Sequence, residues 1–517
     1  MSSVLVEARV EGAAPRLAVR ALARVETVRM LRHPVTVAAA LFLVGSWVSA
    51  WFAIGTTRYP VLQNLDRDSA IGTMMLLGGA ALIVGNLAVL RGHRDGITRL
   101  SQVLILPDDA RTLAHLLALL PLAGVGAVLI VARMAVLAIG ATAAGHPNPY
   151  ELAVGPAGVL LLGALGVLLG RLTRSAVAAP LALLVLLASL VALEPLAHGG
   201  KALWLALPGG SALQMATPID LMARPAGAHL AYVLGLAALL AVAALLRAGA
   251  RGFRVAVAGA VALACAVAGG TAQLSPPSDA VAATRTAVMT HPSQHETCRE
   301  LGQVTYCAFA DFSRWIPAWN TVVQAVVARV PAAARPARLT VRQRFVILAF
   351  NRGTGPEHLL DEWRADDAGA IGVDTDWGDS PAAANLAAQV AYRLVTGQTG
   401  EAHVEERGGA TACGGAGVLV VWLAGQAGAS AGAGLRLLAK ESHDQRGGVS
   451  FYETQLFPTF YVPAPELAVA TQALARPRAD IAARVEQSWA TLTAPGTTAA
   501  QAAQILGVPA PATGPAC

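Results

Sequence analysis

The chain has 517 residues, of which 55% are hydrophobic and 14% are charged, and its mean hydropathy is +0.54. A water-soluble globular protein usually has about 25% charged residues, so this composition excludes a single water-soluble fold. The net charge of +6 does not indicate a nucleic-acid partner, because the Lys and Arg residues lie mostly between apolar stretches and not in one long patch.

Residues 1–34 form a basic segment before the first apolar stretch. Arg16, Arg20 and Arg24 recur every four residues, and apolar residues between Leu17 and Leu31 can line a second helical face. This pattern predicts an amphipathic helix lying in the membrane interface. A basic flank without an ordered helix is the alternative. The segment lacks the apolar core of a cleavable signal peptide.

Seven apolar stretches fill residues 35–273, which we predict to be the transmembrane domain. A helix that crosses about 30 Å of hydrocarbon needs about 20 mostly apolar residues. The predicted spans are 35–54, 70–90, 113–140, 152–170, 176–197, 230–247 and 253–273. Only Arg171 to Ser175 separate the fourth span from the fifth, which predicts a helical hairpin or, as the alternative, a re-entrant pair.

Arginines precede the first span and recur in alternate loops between the spans. The positive-inside rule assigns such loops to the cytoplasm. They contain Arg29 and Arg32, then Arg91, Arg94 and Arg99, then Arg171 and Arg174, and finally Arg247, Arg251 and Arg254. Because seven crossings are an odd number, we expect a multi-pass protein of the plasma membrane with a cytoplasmic N-terminus and with residues 274–517 outside.

A linker over 274–290 and an extracytoplasmic domain over 291–517 are predicted after the last span. We expect this domain to be a mainly helical α+β fold. The extended segments are 304–308 and 339–350, and the helices lie near 312–330, 382–396, 415–426, 433–442, 465–475, 479–494 and 498–506.

Four cysteines lie in the predicted outer domain. In an oxidising compartment, Cys298 and Cys307 are expected to form a disulfide that closes a small loop. Cys413 and Cys517 can pair with each other or remain free, and the sequence leaves both alternatives open.

Enzymatic motifs are weak. No Gly-x4-Gly-Lys-Ser/Thr phosphate-binding loop occurs in the sequence, so the chain is not expected to hydrolyse ATP by itself. His291, His295 and Glu296 lack the order of a zinc-protease helix, and a nucleophilic Cys413 lacks the usual strand-to-helix turn. We expect no metal and no catalytic residue.

Polar residues within the predicted spans carry more weight. These are Asn86 in the second span, Arg133 in the third and Glu194 near the outer end of the fifth. A charge at mid-bilayer costs about 2.5–3.5 kcal/mol on insertion scales, so it usually faces protein or a water-filled cavity. Arg133 is expected either to line a path or bind an anionic headgroup, or to be a snorkelling or paired structural arginine. Glu194 is a conceivable partner of Arg133 and also marks a helix end.

Two segments resemble the permease subunits of type-2 ABC exporters. Residues 20–34, from Arg20 to Pro34, resemble the amphipathic segment that precedes the first span in that family. The loop Arg91-Gly-His-Arg94-Asp95-Gly-Ile-Thr98-Arg99, followed by Leu106-Pro107 and a predicted helix, is similar to the family's coupling loop. The resemblance implies that the loop contacts the ATPase subunit through Arg91, Arg94, Asp95, Thr98 and Arg99.

The same resemblance implies the partners of the chain. A separate ATP-binding subunit would carry ATP and Mg²⁺, and two permeases would assemble in the membrane lipid as a homodimer or as a pair of different chains. The outer region, with Cys298, Cys307, Trp315 and Trp319, is similar to the extracytoplasmic tails of certain actinobacterial permeases. The family typically has six crossings, and a seventh would bring the tail outside. A membrane-anchored extracytoplasmic hydrolase, degenerate and peptidase-like, or a ligand sensor is the alternative.

Overall fold

A bundle of long helices is followed by a domain that contains two small β-sheets. The structure is a computed structural model. It describes residues 2–53, 58–94, 106–197, 205, 217–218, 221, 225–276, 278–346, 356–378, 380–399, 410–443, 447–454 and 457–511.

The helices of the bundle account for the apolar half of the sequence. They are α1 (Ser2–Leu31), α2 (Pro34–Ala53), α3 (Leu62–Thr73), α4 (Gly79–Arg94), α5 (Asp108–Leu117), α6 (Leu119–Ala138), α7 (Pro149–Thr173), α8 (Ala178–Ala197), α9 (Ala226–Arg247) and α10 (Phe253–Ala272). A π-helical turn, Met74–Gly78, joins α3 to α4.

Six helical segments among the described residues are long and apolar enough to cross a membrane, as in a polytopic helical membrane protein. They are Pro34–Phe52, Leu62–Arg91, Asp108–Ala138, Pro149–Thr173, Ala226–Arg247 and Phe253–Ala272. The predicted fifth span is the apolar helix α8, whose side chains are described only over residues 178–192. It is shorter than the other six over that range.

The second span begins eight residues earlier than predicted, at Leu62 and not at residue 70. Its first turns contain polar side chains, which lower the local hydropathy and therefore led the prediction to start the span later. Gln63, Asp66 and Ser69 are nevertheless 1%, 0% and 0% exposed, because they pack against other parts of the protein and do not face lipid. Burial against protein therefore allows a polar helix face at this position.

α1 is a single helix, as the amphipathic pattern predicts, and it starts at Ser2, well before Arg16, where the pattern begins. Val19, Glu26 and Met30 are buried against the bundle. Leu17 and Val25 remain exposed on another face, as is typical of a helix that lies on a membrane surface.

Close backbone contact joins α7 to α4. A Cβ atom at Gly166 would lie 2.1 Å from the carbonyl oxygen of Leu82, and one at Gly85 would lie 2.9 Å from that of Gly163. Small residues at a helix interface let two backbones approach in this way. The contact packs α4 and α7 closely together within the bundle.

The C-terminal region, which we call the outer domain after its predicted location, contains ten helices and seven strands within the described residues. The helices are α11 (Asp279–Thr290), α12 (Ile316–Val327), α13 (Pro356–Asp367), α14 (Ser380–Thr396), α15 (Gly414–Gly425), α16 (Ala429–His443), α17 (Ala464–Leu474), α18 (Arg478–Gln487), α19 (Trp489–Leu492) and α20 (Ala499–Leu506). The strands are β1 (Thr297–Leu301), β2 (Val304–Ala308), β3 (Leu339–Arg344), β4 (Ile371–Asp374), β5 (Ala410–Thr411), β6 (Val449–Thr454) and β7 (Phe457–Val462).

The two sheets are each mixed. The first has the order β1-β2-β3-β4, in which β1 pairs antiparallel with β2 and the other neighbours are parallel. The second has the order β5-β7-β6. One hydrophobic core covers both, and Trp315, Trp319, Trp363 and Trp422 are fully buried in it.

The predicted disulfide is present, and the predicted linker is shorter than expected. Cys298 and Cys307 face each other across β1 and β2 and are bonded. Residues 279–290, assigned to the linker from its prolines, form α11, and Val288 and Met289 are buried in the domain core. Only about the first five residues of the predicted linker separate α10 from the domain.

Candidate functional site

One end of the bundle ties α1 to the end of α4. Glu26, which is 3% exposed, accepts a hydrogen bond from Arg29 Nη1 at 3.1 Å. Its other carboxylate oxygen pairs with Arg91. A buried carboxylate that loses a partner is strongly destabilised, whereas an exposed ion pair contributes little. The helix before the first span is therefore coupled to the start of the segment that follows the second span.

α5 follows the segment that begins after α4, and it lies at the same end of the bundle. It packs against α1, and the carbonyl oxygen of its first residue, Asp108, accepts a hydrogen bond from Arg171 Nη2 at 3.2 Å. Asn86 Nδ2 donates to the carbonyl oxygen of Ser175 at 3.0 Å, so the connection between α7 and α8 also lies here. We call this end of the bundle, with α1, α5, Arg91 and Arg171, the inner platform.

The residues of the predicted coupling loop are only partly described. Arg91 contacts Glu26, and Arg94 is the last residue of α4. The side chain of Arg94 and all of Asp95, Thr98 and Arg99 lie outside the described residues. The role of the loop is therefore still a prediction, and the inner platform is the described surface that flanks it.

Arg133 lies between three helices. Its Nη1 donates to Ser69 Oγ of α3 at 2.8 Å, and its guanidinium carbon is 4.8 Å from the ring centroid of Trp47 in α2. The side chain of Glu194, its conceivable partner, lies outside the described residues. Arg133 is thus held by a hydroxyl and an aromatic face, a pair that the sequence did not indicate.

At the opposite end of the bundle, an aromatic contact joins the short connection before α3 to the outer domain. The ring of Tyr59 meets Trp315 edge-on with centroids 6.3 Å apart, and meets Trp377 at 6.1 Å. Trp315 also donates from Nε1 to the carbonyl oxygen of Thr142 at 2.8 Å. Edge-to-face aromatic pairs contribute beyond their buried area, so this contact holds the domain against the bundle.

Buried polar groups complete the contact. Gln63 Nε2 donates to the carbonyl oxygen of Thr217 at 3.1 Å and lies 3.5 Å from Asp311 Oδ2. Gly145 N donates to the carbonyl oxygen of Asp311 at 3.1 Å. Gly145 has φ of +64°, and a Cβ there would lie 1.8 Å from Gln63 Oε1, so any larger residue would be strained and would displace the Gln63 side chain. We call these residues, together with Tyr59, Trp315 and Trp377, the outer interface.

A buried ionic cluster lies on one face of β3. Arg344 is fully buried, with Nε 3.4 Å from Glu453 Oε1 and Nη1 3.9 Å from Asp366 Oδ2. Its guanidinium carbon lies 4.9 Å from the ring centroid of Trp363. Removing one member of such a buried pair would leave an uncompensated charge, which makes the cluster a structural element of the domain.

Glu296 belongs to the same cluster and has a perturbed pKa. Its side chain is fully buried and contacts Arg342 Nη1, while Arg342 Nη2 lies 3.2 Å from Asp367 Oδ2. Burial raises the pKa of the Glu296 carboxyl to about 8, against the lowering effect of the Arg342 and Arg344 guanidinium groups.

The candidate hydrolytic groups do not converge on one cleft. Glu296 is enclosed by Arg342, whereas His295 is exposed. His291 Nε2 lies 3.4 Å from Glu362 Oε2, and Cys413 is disulfide-bonded, so it offers no thiolate; Cys517 lies outside the described residues. Within the described ranges, no group of three or more His, Cys, Asp or Glu side chains is placed to hold a metal ion.

Sequence patterns missed most of these contacts because their partners are far apart in the chain. Gln63 and Asp311 are separated by 248 positions, and Glu26 and Arg91 by 65. The only available indication was a polar residue within an apolar or amphipathic helix, which predicts burial against protein but does not name the partner.

Comparisons with known proteins add no family. No family model, no curated protein and no solved structure matches the chain.

Proposed function

We propose that the chain is the membrane-spanning permease subunit of an ATP-driven exporter of the type-2 ABC class. A separate ATP-binding subunit would hydrolyse ATP with Mg²⁺, and the chain itself would not be an enzyme. Two permeases, identical or different, would enclose the path of the substrate. The protein would lie in the plasma membrane with a cytoplasmic N-terminus and an extracytoplasmic C-terminal domain.

The positions of the loops support this orientation. The three loops with few arginines contribute Tyr59, Thr142 and Thr217 to the outer interface. The basic segments contribute Glu26, Arg91 and Arg171 to the inner platform. Loops that alternate in charge along the sequence thus separate to opposite ends of the bundle, as the positive-inside rule requires of a protein that crosses the membrane repeatedly.

We propose that α8, the fifth predicted span in chain order, also crosses the membrane and brings the number of crossings to seven. The residues just before it lie at the inner platform, where the carbonyl oxygen of Ser175 binds Asn86. Leu221, before α9, lies at the other end, where its carbonyl oxygen accepts a hydrogen bond from Arg285 Nε at 2.8 Å. The chain must pass between these ends, and a helix of 20 residues spans about 30 Å. This length matches the hydrocarbon thickness.

The inner platform is the observation that carries the exporter assignment. α1, the end of α4 and α5 are linked through Glu26 and Arg91 and by the packing of α5 on α1. A force applied to the loop between α4 and α5 would therefore move the second and third spans together with α1. Such a connection suits a segment that transmits the closure of an ATPase subunit into the membrane.

The alternative functions have no comparable support. An outer hydrolase needs convergent titratable groups with access to a substrate, whereas Glu296 is enclosed and Cys413 is disulfide-bonded. A sensor would need an output element, and none was indicated by the sequence. We therefore retain the exporter as the one proposed function.

Co-purification with an ATP-binding cassette subunit tests the proposal. A candidate ATP-binding cassette subunit from the same genome would be co-expressed with tagged wild-type chain and with the double variant Arg94→Ala, Asp95→Ala. We expect the wild type to retain the subunit in stoichiometric amount and the variant to lose most of it. The control is Arg251→Ala, which removes an exposed arginine from another basic loop and should retain the subunit.

A second variant tests the role of the platform. Glu26→Gln removes the charge that holds Arg91 while leaving the loop sequence intact. It should retain the ATPase subunit but weaken the stimulation of ATP hydrolysis by the permease. Retention and stimulation equal to wild type in both variants would contradict the proposed coupling, and absence of any ATP-binding partner would contradict the exporter function itself.

A further inference from the structure

Arg133 is embedded in the bundle near its outer end. It lies five residues before Ala138, the last residue of α6, or about 8 Å along the axis at the usual helical rise. Ser69 and Trp47, its two contacts, lie at similar distances from the outer ends of α3 and α2. These contacts hold the guanidinium beside α2 and α3.

The protein satisfies only part of this guanidinium. Arginine has five N–H donors, and one hydrogen bond, to Ser69 Oγ, is formed with the described part of the chain. The Ser69 hydroxyl itself donates to the carbonyl oxygen of Leu65 at 2.5 Å, so its oxygen is fixed as an acceptor. Asp68, which is exposed on α3, also acts on Arg133 electrostatically. An embedded cation that uses only one of its donors within the described residues favours an anionic ligand.

The side of Arg133 between α2 and α6 is open. α2 packs on α1, α4 and the π-helical turn, whereas it has little contact with α6 in the described structure. One turn further out, Val136 of α6 and Trp51 of α2 are each 50% exposed. Because these neighbours are apolar and half-exposed, the opening faces the hydrocarbon and its outer interface, where Trp is typically found. A ligand that reaches Arg133 by this route must have an apolar body.

We propose that Arg133 binds the anionic headgroup of a lipid-like amphiphile that enters between α2 and α6 from the outer half of the membrane. Ser69 and Trp47 orient the guanidinium towards that opening. The identification of such amphiphiles as the substrate class of this chain rests on the proposed exporter function, whereas the binding site itself does not.

Lipid retention by the full-length chain tests the site. Wild-type protein in phosphatidylcholine nanodiscs with a minor fraction of phosphatidylglycerol would be isolated, and its bound lipids counted by native mass spectrometry. We expect phosphatidylglycerol to be enriched about tenfold over its bulk ratio, since charge-assisted hydrogen bonds contribute about 1.5–3 kcal/mol. Arg133→Gln should abolish this enrichment, and the control Arg254→Gln on the opposite basic side should preserve it.

Two additional arms keep the result decisive if Arg133→Gln fails to fold. Arg133→Lys keeps the charge and should retain several-fold enrichment, and inorganic phosphate at millimolar concentration should not displace the lipid. Equal retention of both lipids by wild type, or enrichment unchanged in Arg133→Gln, would overturn the proposal, as would displacement by phosphate, which would indicate a soluble anion. Loss of the ATPase partner with enrichment intact would remove the exporter function but leave the site.

Discussion

The buried carboxyl of Glu296 makes the stability of the outer domain depend on pH in a predictable direction. Burial raises its pKa from 4.5 to about 8 in the folded protein. Between these values the folded state binds a proton that the unfolded state has released, so the free energy of unfolding falls as pH rises. The stabilising contribution is complete below about pH 4.5 and is lost as pH rises through about 8.

The size of the effect follows from the same numbers. One pH unit corresponds to about 1.36 kcal/mol, so raising the pH from about 5 to about 8.5 should remove about 4 kcal/mol of the contribution of Glu296. A change of 1 kcal/mol shifts the melting temperature of a domain of this size by about 2–4 °C. The expected loss is therefore on the order of 10 °C, after any background change with pH is subtracted.

Glu296→Gln should remove this dependence, because the amide stays neutral and can still accept a hydrogen bond from Arg342. Thermal unfolding of the full chain can be followed by tryptophan fluorescence, since six of the nine tryptophans lie in residues 291–517. Glu300→Gln is the matched control, because Glu300 is exposed on β1, which begins just after Glu296. An equal difference between wild type and Glu296→Gln at every pH would refute the reasoning and would mean that Arg342 keeps Glu296 ionised.

Two packing predictions follow from the contacts within the bundle and at the outer interface. Tyr59→Ala removes two edge-to-face aromatic contacts and should lower the free energy of unfolding by about 3 kcal/mol. We expect a lower melting temperature and faster proteolysis between bundle and domain. Unchanged proteolysis would argue against the interface. Gly166→Ala should disrupt α7 packing, because its Cβ would meet the backbone oxygen of Leu82 at 2.1 Å, whereas Gly124→Ala, with no atom within 4 Å, should be neutral. Equal thermal stability of the two alanine variants in detergent would contradict the close contact.

Local patterns predicted the elements that depend on local chemistry. Long apolar stretches indicated the six spans of the described structure, because lipid and helix length impose the same requirement on each. Alternation and cysteine spacing indicated β2, the start of β3 and the bond between Cys298 and Cys307. The start of the second span was missed, because Asp66 and Gln63 are polar yet buried against protein.

Contacts between distant segments could not be predicted in the same way. β5 has two residues and pairs with β7 about fifty positions later, so neither propensity nor periodicity identifies it. α11 follows a proline pair and was assigned to a linker, although Val288 and Met289 are in the core. Arg133 was recognised as unusual from the cost of burying its charge, but its partners Ser69 and Trp47 come from separate helices.

The sidedness of the two ends of the bundle is the claim on which the account depends, and cysteine accessibility measures it directly. Cys265 is the one free cysteine among the described residues, so both cysteine substitutions are made in the Cys265→Ala variant. The labelling of Cys265→Ala alone is measured and subtracted. A cysteine replacing the exposed Thr321 in the outer domain should react with a membrane-impermeant maleimide in intact cells, whereas one replacing the exposed Arg251 should react only after permeabilisation. The reverse pattern, or labelling of both positions in intact cells, would contradict the seven-crossing topology and with it the proposed exporter.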